Sequence, residues 1–89
     1  MTGSFVEHDL GSLRGGELVT VTLRERANVR LLDATNFQRY QRGEQHTLIG
    51  GQALRSPIRL RVPHPDHWYL VLDFGGASGA IHSNVTVSR

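Results

Sequence analysis

Residues 56–76, with the sequence SPIRLRVPHPDHWYLVLDFGG, constrain the fold more strongly than any other segment. Apolar and polar side chains alternate on both sides of the short stretch PHPDH. A period of two is typical of β-strands that bury one face. The segment therefore predicts two strands whose apolar side chains share one core: Ile58, Leu60, Val62, Trp68, Leu70 and Leu72.

The pairing of these two strands is predicted by keeping their apolar faces together. A shift of one residue moves every side chain of a strand to the other face. This favours a hairpin with a five-residue loop at 63–67, in which the six apolar residues lie opposite one another. On the other face, the same register sets Arg61 across from Tyr69 and Arg59 across from Val71.

Three further blocks have the length and pattern of strands. Residues 17–23 and 80–88 alternate cleanly, whereas residues 27–33 carry apolar side chains on both faces, as a strand covered on both sides would. A chain of 89 residues suffices for one small core. We therefore expect an all-β fold: one domain over residues 1–89, forming a small antiparallel β-sandwich or partly open barrel with little or no helix.

The part of the chain after residue 33 allows two structures. The favoured one is a hairpin between residues 37–40 and 45–49, although its turn would need a residue with positive φ. The alternative is one helical turn over residues 35–42, which Asp33 or Thr35 could cap.

Composition limits the classes of function. The chain has no cysteine, so disulfides and thiolate metal sites are excluded. All ten basic residues are arginine, but the net charge is only +2, which is too small for a strong non-specific nucleic-acid field. The N-terminus lacks the pattern of a signal peptide, and no apolar run reaches the roughly 20 residues of a membrane span. We expect a cytoplasmic protein that does not cross a membrane.

The best candidate binding residues are Arg59, Arg61 and Tyr69, together with His67. Guanidinium groups beside an aromatic ring can pair with an anion while the ring stacks on a base or sugar. The alternative is an ordinary solvent-exposed sheet face on which arginine covers tyrosine. Our first hypothesis is a non-enzymatic binding or sensing module for an anionic or nucleotide-like ligand or a partner protein.

Other functions have weaker support. The glycine-rich loop 75–79 precedes an alternating strand and not a helix, so it does not resemble a phosphate loop. The second hypothesis is a structural or interaction domain that self-associates as a homo-oligomer through a strand edge or residues 36–51. The third is a metal-dependent hydrolase using His64, Asp66 and His67, but this spacing is a weak ligand pattern. We expect no catalytic residue, metal or cofactor.

Several short motifs resemble a known family. They are ANVRLLD at 27–33, Asn36-Phe37, Tyr40, Gly43, Gly50-Gly51, Ser56-Pro57, Pro63, HWY at 67–69 and DFGG at 73–76. Together they are similar to the bacterial domain-of-unknown-function 1883 family, from about Phe5 to Val87. The resemblance implies a small, mostly β domain that stands alone or is attached to other domains, including Toll/interleukin-1-receptor-like ones. It implies no catalytic residue.

Overall fold

The computed structural model describes residues 5–46, 49–53, 56–73 and 82–89. Its elements, in chain order, are β1 (Phe5–Leu13), β2 (Leu18–Leu23), β3 (Ala27–Asp33), α1 (Ala34–Gln41), β4 (Ile49–Ala53), β5 (Ile58–Arg61), β6 (Asp66–Asp73) and β7 (Ser83–Ser88). One antiparallel sheet has the order β1-β6-β3-β4, and the other has the order β5-β2-β7. The predicted all-β sandwich with little helix is confirmed.

The hydrophobic core lies between the two sheets. Its buried side chains come mainly from β2, β3 and β6, namely Val19, Val21, Leu23, Ala27, Val29, Leu31, Val62, Trp68, Leu70 and Leu72. Burying one such Val, Leu or Ile side chain contributes roughly 1.5–3 kcal/mol relative to exposure. The strands predicted within 17–23 and 27–33 are therefore confirmed, and so is the core position of Trp68, which is 2% exposed.

The predicted hairpin between β5 and β6 is wrong. β5 pairs with β2 in the three-stranded sheet, whereas β6 lies between β1 and β3 in the four-stranded sheet. Strand β6 begins at Asp66, so the predicted loop 63–67 is also too long and His67 lies within the strand. The apolar alternation is satisfied across the sandwich, because Leu60 and Leu70 approach one core from opposite sheets.

A helix follows β3, so the hairpin favoured for residues 37–49 is wrong. Asp33 caps α1, and its Oδ1 atom accepts the Asn36 backbone N–H at 3.0 Å. Gly43, with φ of 72°, follows the C-cap and donates its N–H to the Tyr40 carbonyl at 3.1 Å. These contacts satisfy backbone groups that the helix itself leaves unpaired.

The helix packs on the outer face of the four-stranded sheet. Phe37 is buried there against Leu32 and Val71, both of which are fully buried. This second apolar cluster is why β3 and β6 carry large apolar residues on both faces. The prediction that residues 27–33 are covered on both sides is therefore confirmed.

A β-bulge adjusts the first strand. Asp9 pairs with Tyr69 and Gly11 with Trp68, which leaves Leu10 without a partner in the ladder. Gly11 has a φ of 76°, a conformation that glycine adopts without steric cost. The extra residue changes the phase of the strand, so Leu10 and Leu13 both reach the core although they are three residues apart.

The last strand confirms the strand predicted for the C-terminal block within residues 83–88, and its burial alternates up to Thr86, whereas Val87 on the apolar face is exposed. Residues 80–81 of that block and the loop 75–79 lie outside the described residues. Within the described ranges, no helix has the length and apolar character needed to cross a membrane.

Candidate functional site

The outer face of the three-stranded sheet forms a mostly polar surface, which we call the arginine face. It consists of the side chains that alternate with the buried ones: Arg59 and Arg61 on β5, Leu18, Thr20 and Thr22 on β2, and Asn84, Thr86 and Ser88 on β7. Strand pairing arranges them in rows, one of which runs from Arg59 through Thr20 to Thr86.

The two arginines of this face are exposed and lie on one strand. Two residues separate their positions by about 7 Å along a β-strand. Arg61 donates from Nη1 to the Gly16 carbonyl at 2.6 Å, which holds its side chain near the β1–β2 turn. Arg59 makes no hydrogen bond or ion pair with the residues that the structure describes.

The arginine face carries no carboxylate among its described side chains. Glu7 and Asp9 are exposed on the other sheet, at β1. Among the described side chains of this face, the two arginines therefore have no opposite charge beside them, although the net charge of the chain is only +2.

Glu17, which precedes β2 at the β1–β2 turn, has a carboxylate that is already engaged in hydrogen bonds. Glu17 is buried, and its two carboxylate oxygens accept the backbone N–H groups of Arg14 at 2.7 Å and Gly15 at 2.8 Å. The backbone N–H of Arg14 has the largest effect in lowering the pKa of the Glu17 carboxyl below its usual value. The backbone N–H groups of Glu17 and Gly15 lower it further. These bonds fix the β1–β2 turn against which Arg61 is anchored.

The structure does not bring Tyr69 and His67 to the arginines, so the predicted four-residue set is not assembled. Both belong to β6, in the sheet opposite Arg59 and Arg61. The Tyr69 ring is stacked on Phe37 at a centroid distance of 4.0 Å and an angle of 14°. The predicted arrangement is wrong because β5 and β6 belong to different sheets.

His67 and Tyr69 remain neighbours on the outer face of the four-stranded sheet. Their ring centroids are 4.8 Å apart, and His67 Nε2 lies 2.6 Å from Asp9 Oδ1. The Gly11 N–H, and then His67, lower the pKa of the Asp9 carboxyl. Both side chains therefore make intramolecular contacts that orient them, and the Asp9 carboxylate beside His67 would repel an anion.

A polar cluster around Asp73 was not predicted from the sequence. Asp73 is 5% exposed, and its Oδ1 atom accepts Asn28 Nδ2 at 2.9 Å. Its Oδ2 atom accepts Arg30 Nε at 2.9 Å and the Tyr40 hydroxyl at 2.8 Å. The sequence does place Asn28 and Arg30 on one face of β3. Their side chains are hydrogen-bond donors, and a charged residue of a neighbouring strand could accept from both.

This cluster links the helix to the sheet. Burial, and then Asp73, raise the pKa of the Tyr40 hydroxyl to about 12. The Arg30 guanidinium carbon also lies 5.4 Å from the centroid of the Tyr40 ring. The donors arranged around Asp73 indicate a structural role, because each stabilises the buried carboxylate.

A small cleft lies beside the start of the helix. It has a volume of about 140 Å³ and is lined by Leu31, Asp33, Asn36, Ile49, Pro63, His64 and Trp68. Trp68 Nε1 donates to the His64 carbonyl at 3.1 Å, and His64 Nε2 lies 3.7 Å from Asp33 Oδ2. Pockets for small-molecule ligands are usually about 300–1,000 Å³, so this cleft is too small for a typical one.

A second cleft, of about 230 Å³, lies at one end of β2 and β7. Thr22, Arg24 and His82 contribute to its lining. Glu25 holds His82 through two contacts. Its Oε1 atom accepts the backbone N–H of His82, and its Oε2 atom lies 2.8 Å from Nδ1 of the His82 ring. This carboxylate offsets the positive charge of the cleft.

The histidines do not converge on a common point in the described part of the chain. His64 faces Asp33, whereas His67 contacts Asp9 on the outer sheet face. No group of three or more His, Asp or Glu side chains is placed to hold a metal ion among the residues described. The arrangement gives the metal-dependent hydrolase hypothesis no geometric support.

Comparison with known proteins identifies a family without assigning an activity. A search of curated proteins found no match to this chain, and a search of solved structures also found none. The family model described as "Domain of unknown function (DUF1883)" matches residues 4–89. Because the match spans nearly the whole sequence, the chain belongs to the DUF1883 family.

Proposed function

We propose that this domain is a non-enzymatic binding module that recognises an extended anionic ligand through its arginine face. The observation that carries the proposal is the pair of exposed arginines, Arg59 and Arg61, on a sheet face without a described carboxylate. Arginine suits this role because its planar guanidinium donates two parallel hydrogen bonds to a phosphate or carboxylate.

The form of the surface favours an extended ligand. Small-molecule sites are usually concave, whereas this face is the outer side of a β-sheet that no other described element covers. The arginines are spaced by about 7 Å along β5, so a chain of phosphate groups can contact both at once. Thr20 and Thr86 continue the row from Arg59 and supply hydroxyl donors across the sheet.

The expected binding is moderate and sensitive to salt. Among the described residues, two arginines lie on the face itself, and the whole chain has a net charge of +2. Binding between arginine and phosphate weakens as salt concentration rises, because it releases counterions from the ligand. We further propose that the domain acts in the bacterial cytoplasm. Its chain has no cysteine and therefore does not need an oxidising compartment in which disulfides form.

The experiment is a binding titration with two labelled probes, a short single-stranded oligonucleotide and linear inorganic polyphosphate. We expect both to bind at low salt, and Arg59→Ala with Arg61→Ala to weaken binding about tenfold or more, which corresponds to about 1.4 kcal/mol or more. For the oligonucleotide, the slope of log K against log salt should also become shallower by about 1.4, because each phosphate that an arginine neutralises on a single strand contributes about 0.7.

The matched control removes Arg39 and Arg42, which are exposed on α1 and at its C-cap. Both double variants reduce the net charge by two, from +2 to 0. Arg59→Ala alone is also informative, because the Arg59 side chain has no polar partner among the described residues and its removal breaks no intramolecular bond there. The proposal would be contradicted if neither probe bound, or if the two double variants weakened probe binding equally.

A further inference from the structure

The described strands form four sheet edges, and three of these have features that discourage pairing with another strand. β1 contains the bulge at Leu10 and exposes the carboxylate of Asp9. β4 contains Gly50, whose φ of 123° departs from regular strand geometry. β5 is only four residues long, and Pro57 and Pro63 flank it. Bulges, charges, short strands and prolines are the usual means of protecting an edge.

The fourth edge, β7, lacks these features. Ser83–Ser88 contains no charged residue and no proline, and it pairs with β2 without a register shift over its six residues. In the part of the chain that the structure describes, the other side of β7 has no strand partner. Its Val87 lies on the same face as Val85, which is half-buried against the core, but Val87 is 40% exposed.

Among the described residues, Val87 is the one large hydrophobic side chain that is exposed. It lies near the end of β7, opposite Val19 of β2, so β2 covers one side of it. The open side of the strand leaves the rest of Val87 in contact with solvent. An additional strand placed beside β7 would cover this remaining apolar surface.

We infer that the partner of this edge is β7 of a second copy of the chain, paired antiparallel about a two-fold axis at Thr86. In this register Thr86 lies opposite its own copy. Val85 lies opposite the partner's Val87 on the core side, and Asn84 opposite the partner's Ser88 on the arginine-face side. The sequence NVTVS is symmetric in its apolar and polar positions about Thr86, so every pair matches apolar with apolar or polar with polar.

This self-complementarity favours a second copy over an unrelated strand. In an isologous interface, the same patch must satisfy itself after a two-fold rotation. A register shifted by one residue would place Val85 opposite Thr86 and mix the two faces. The symmetric register instead covers Val87 with a valine and gives the outward backbone groups of β7 partners.

The resulting dimer joins two three-stranded sheets into one sheet of six strands. A two-fold axis perpendicular to the sheet places both arginine faces on the same side. The contact involves one short strand from each copy, so the dimer should be weak and concentration-dependent. The inference does not use the two arginines of the proposed function, because Arg59 and Arg61 lie on the far edge strand, β5, of each copy.

The first test uses single cysteines, since the natural chain contains none. Thr86→Cys places the two thiols opposite each other across the axis, where antiparallel Cα atoms lie about 4.5–5.5 Å apart and a disulfide can form. Asn84→Cys is the register control, because its two copies would be separated by four residue positions, or about 13 Å. Both positions are exposed, so neither substitution disturbs the core.

Under mild oxidation, we expect Thr86→Cys to form a covalent dimer of twice the 9.9 kDa chain mass, much faster than Asn84→Cys. Equal rates for the two variants would show random collision and overturn the inference. A second measurement uses sedimentation of the unmodified protein over a wide concentration range. A monomer at every concentration would also overturn it.

A charged variant tests the interface without oxidation. Thr86→Lys places two like charges opposite each other on paired strands and should raise the dimer Kd by about fivefold. Thr35→Lys, on the exposed surface of α1, adds the same charge away from β7 and should leave the Kd unchanged. The same shift in both variants would contradict the β7 interface. Oligonucleotide titration of the unmodified protein, at concentrations below the dimer Kd, measures binding to the arginine face without the β7 contact, so failure of either proposal can be recognised.

Discussion

The Tyr40 hydroxyl donates a 2.8 Å hydrogen bond to Asp73, and this bond fastens helix α1 to the outer face of the four-stranded sheet. Asp73 is the last residue of β6 and is almost fully buried. The bond acts together with the apolar packing of Phe37 on the same helix. A polar and an apolar anchor therefore set the position of α1.

Removing the hydroxyl should loosen this attachment. We expect Tyr40→Phe to lower the free energy of unfolding by about 1.5 kcal/mol, because a buried carboxylate then has one hydrogen-bond donor fewer. Tyr69→Phe is the matched control, since the Tyr69 hydroxyl makes no hydrogen bond with described residues. Urea denaturation measures both variants. A destabilisation of Tyr69→Phe as large as that of Tyr40→Phe would contradict the role assigned to the hydroxyl.

The same hydroxyl predicts a decrease in stability at alkaline pH. The fold raises the pKa of Tyr40 from 10.0 to about 12, so it favours the neutral form. This contribution is complete below pH 10 and is lost as the pH rises towards 12. Thermal unfolding across this range should show a smaller alkaline decrease in Tyr40→Phe than in the unmodified protein. Parallel pH profiles would exclude Tyr40 as a source of the effect.

An acidic transition is expected from the β1–β2 turn. The Arg14 N–H lowers the pKa of Glu17 below 4.5, so the fold favours the carboxylate. Its contribution is present above pH 4.5 and is lost as the pH falls through the lowered pKa. Glu17→Gln should be less stable than the parent at neutral pH but lose less stability on acidification. An unchanged acid profile in this variant would contradict the assignment.

Gly50 should tolerate no side chain. Its φ is 123°, and a Cβ atom at this position would collide with the carbonyl oxygen of Val29. We expect Gly50→Ala to lower the free energy of unfolding by about 2–3 kcal/mol, from the strained backbone and the collision together. Gly16→Ala separates these causes, because Gly16 has a φ of 93° but open space around it. Denaturation should show the larger destabilisation in Gly50→Ala, and equal values would contradict the collision.

Alternation in the sequence predicts the core-facing residues of β2, β3, β5 and β6, because burial of one strand face acts locally. It does not determine which strands are neighbours. Leu60 and Leu70 face the same core whether they are paired in a hairpin or packed across a sandwich. The predicted five-residue loop at 63–67 assumes that the two flanking strands pair with each other, and the period of their side chains does not test that assumption.

The alternation pattern does not predict two of the strands or the helix. The bulge at Leu10 interrupts the period of two in β1, and Gly50 within β4 has no side chain to contribute to the pattern. For the helix, the sequence offers a cap at Asp33 but no local feature that decides against a hairpin. The packing of Phe37 on Leu32 and Val71 selects the helix, and Val71 is distant from Phe37 in the sequence.

The candidate site is predictable in part. The exposed positions of Arg59 and Arg61 follow from alternation, because their neighbours face the core. Their supposed partner Tyr69 does not follow, since it requires the incorrect strand pairing. Thr20 and Thr86 can be placed beside Arg59 only once the order of the three-stranded sheet is known.

The most direct test of the proposed function is backbone amide chemical-shift mapping by NMR during titration with the short oligonucleotide. We predict that the largest shifts fall on the arginine face, at Arg59, Arg61, Thr20 and Thr86, and that they diminish when salt is added. Shifts concentrated on the opposite outer face, at His67 and Tyr69, would contradict the account.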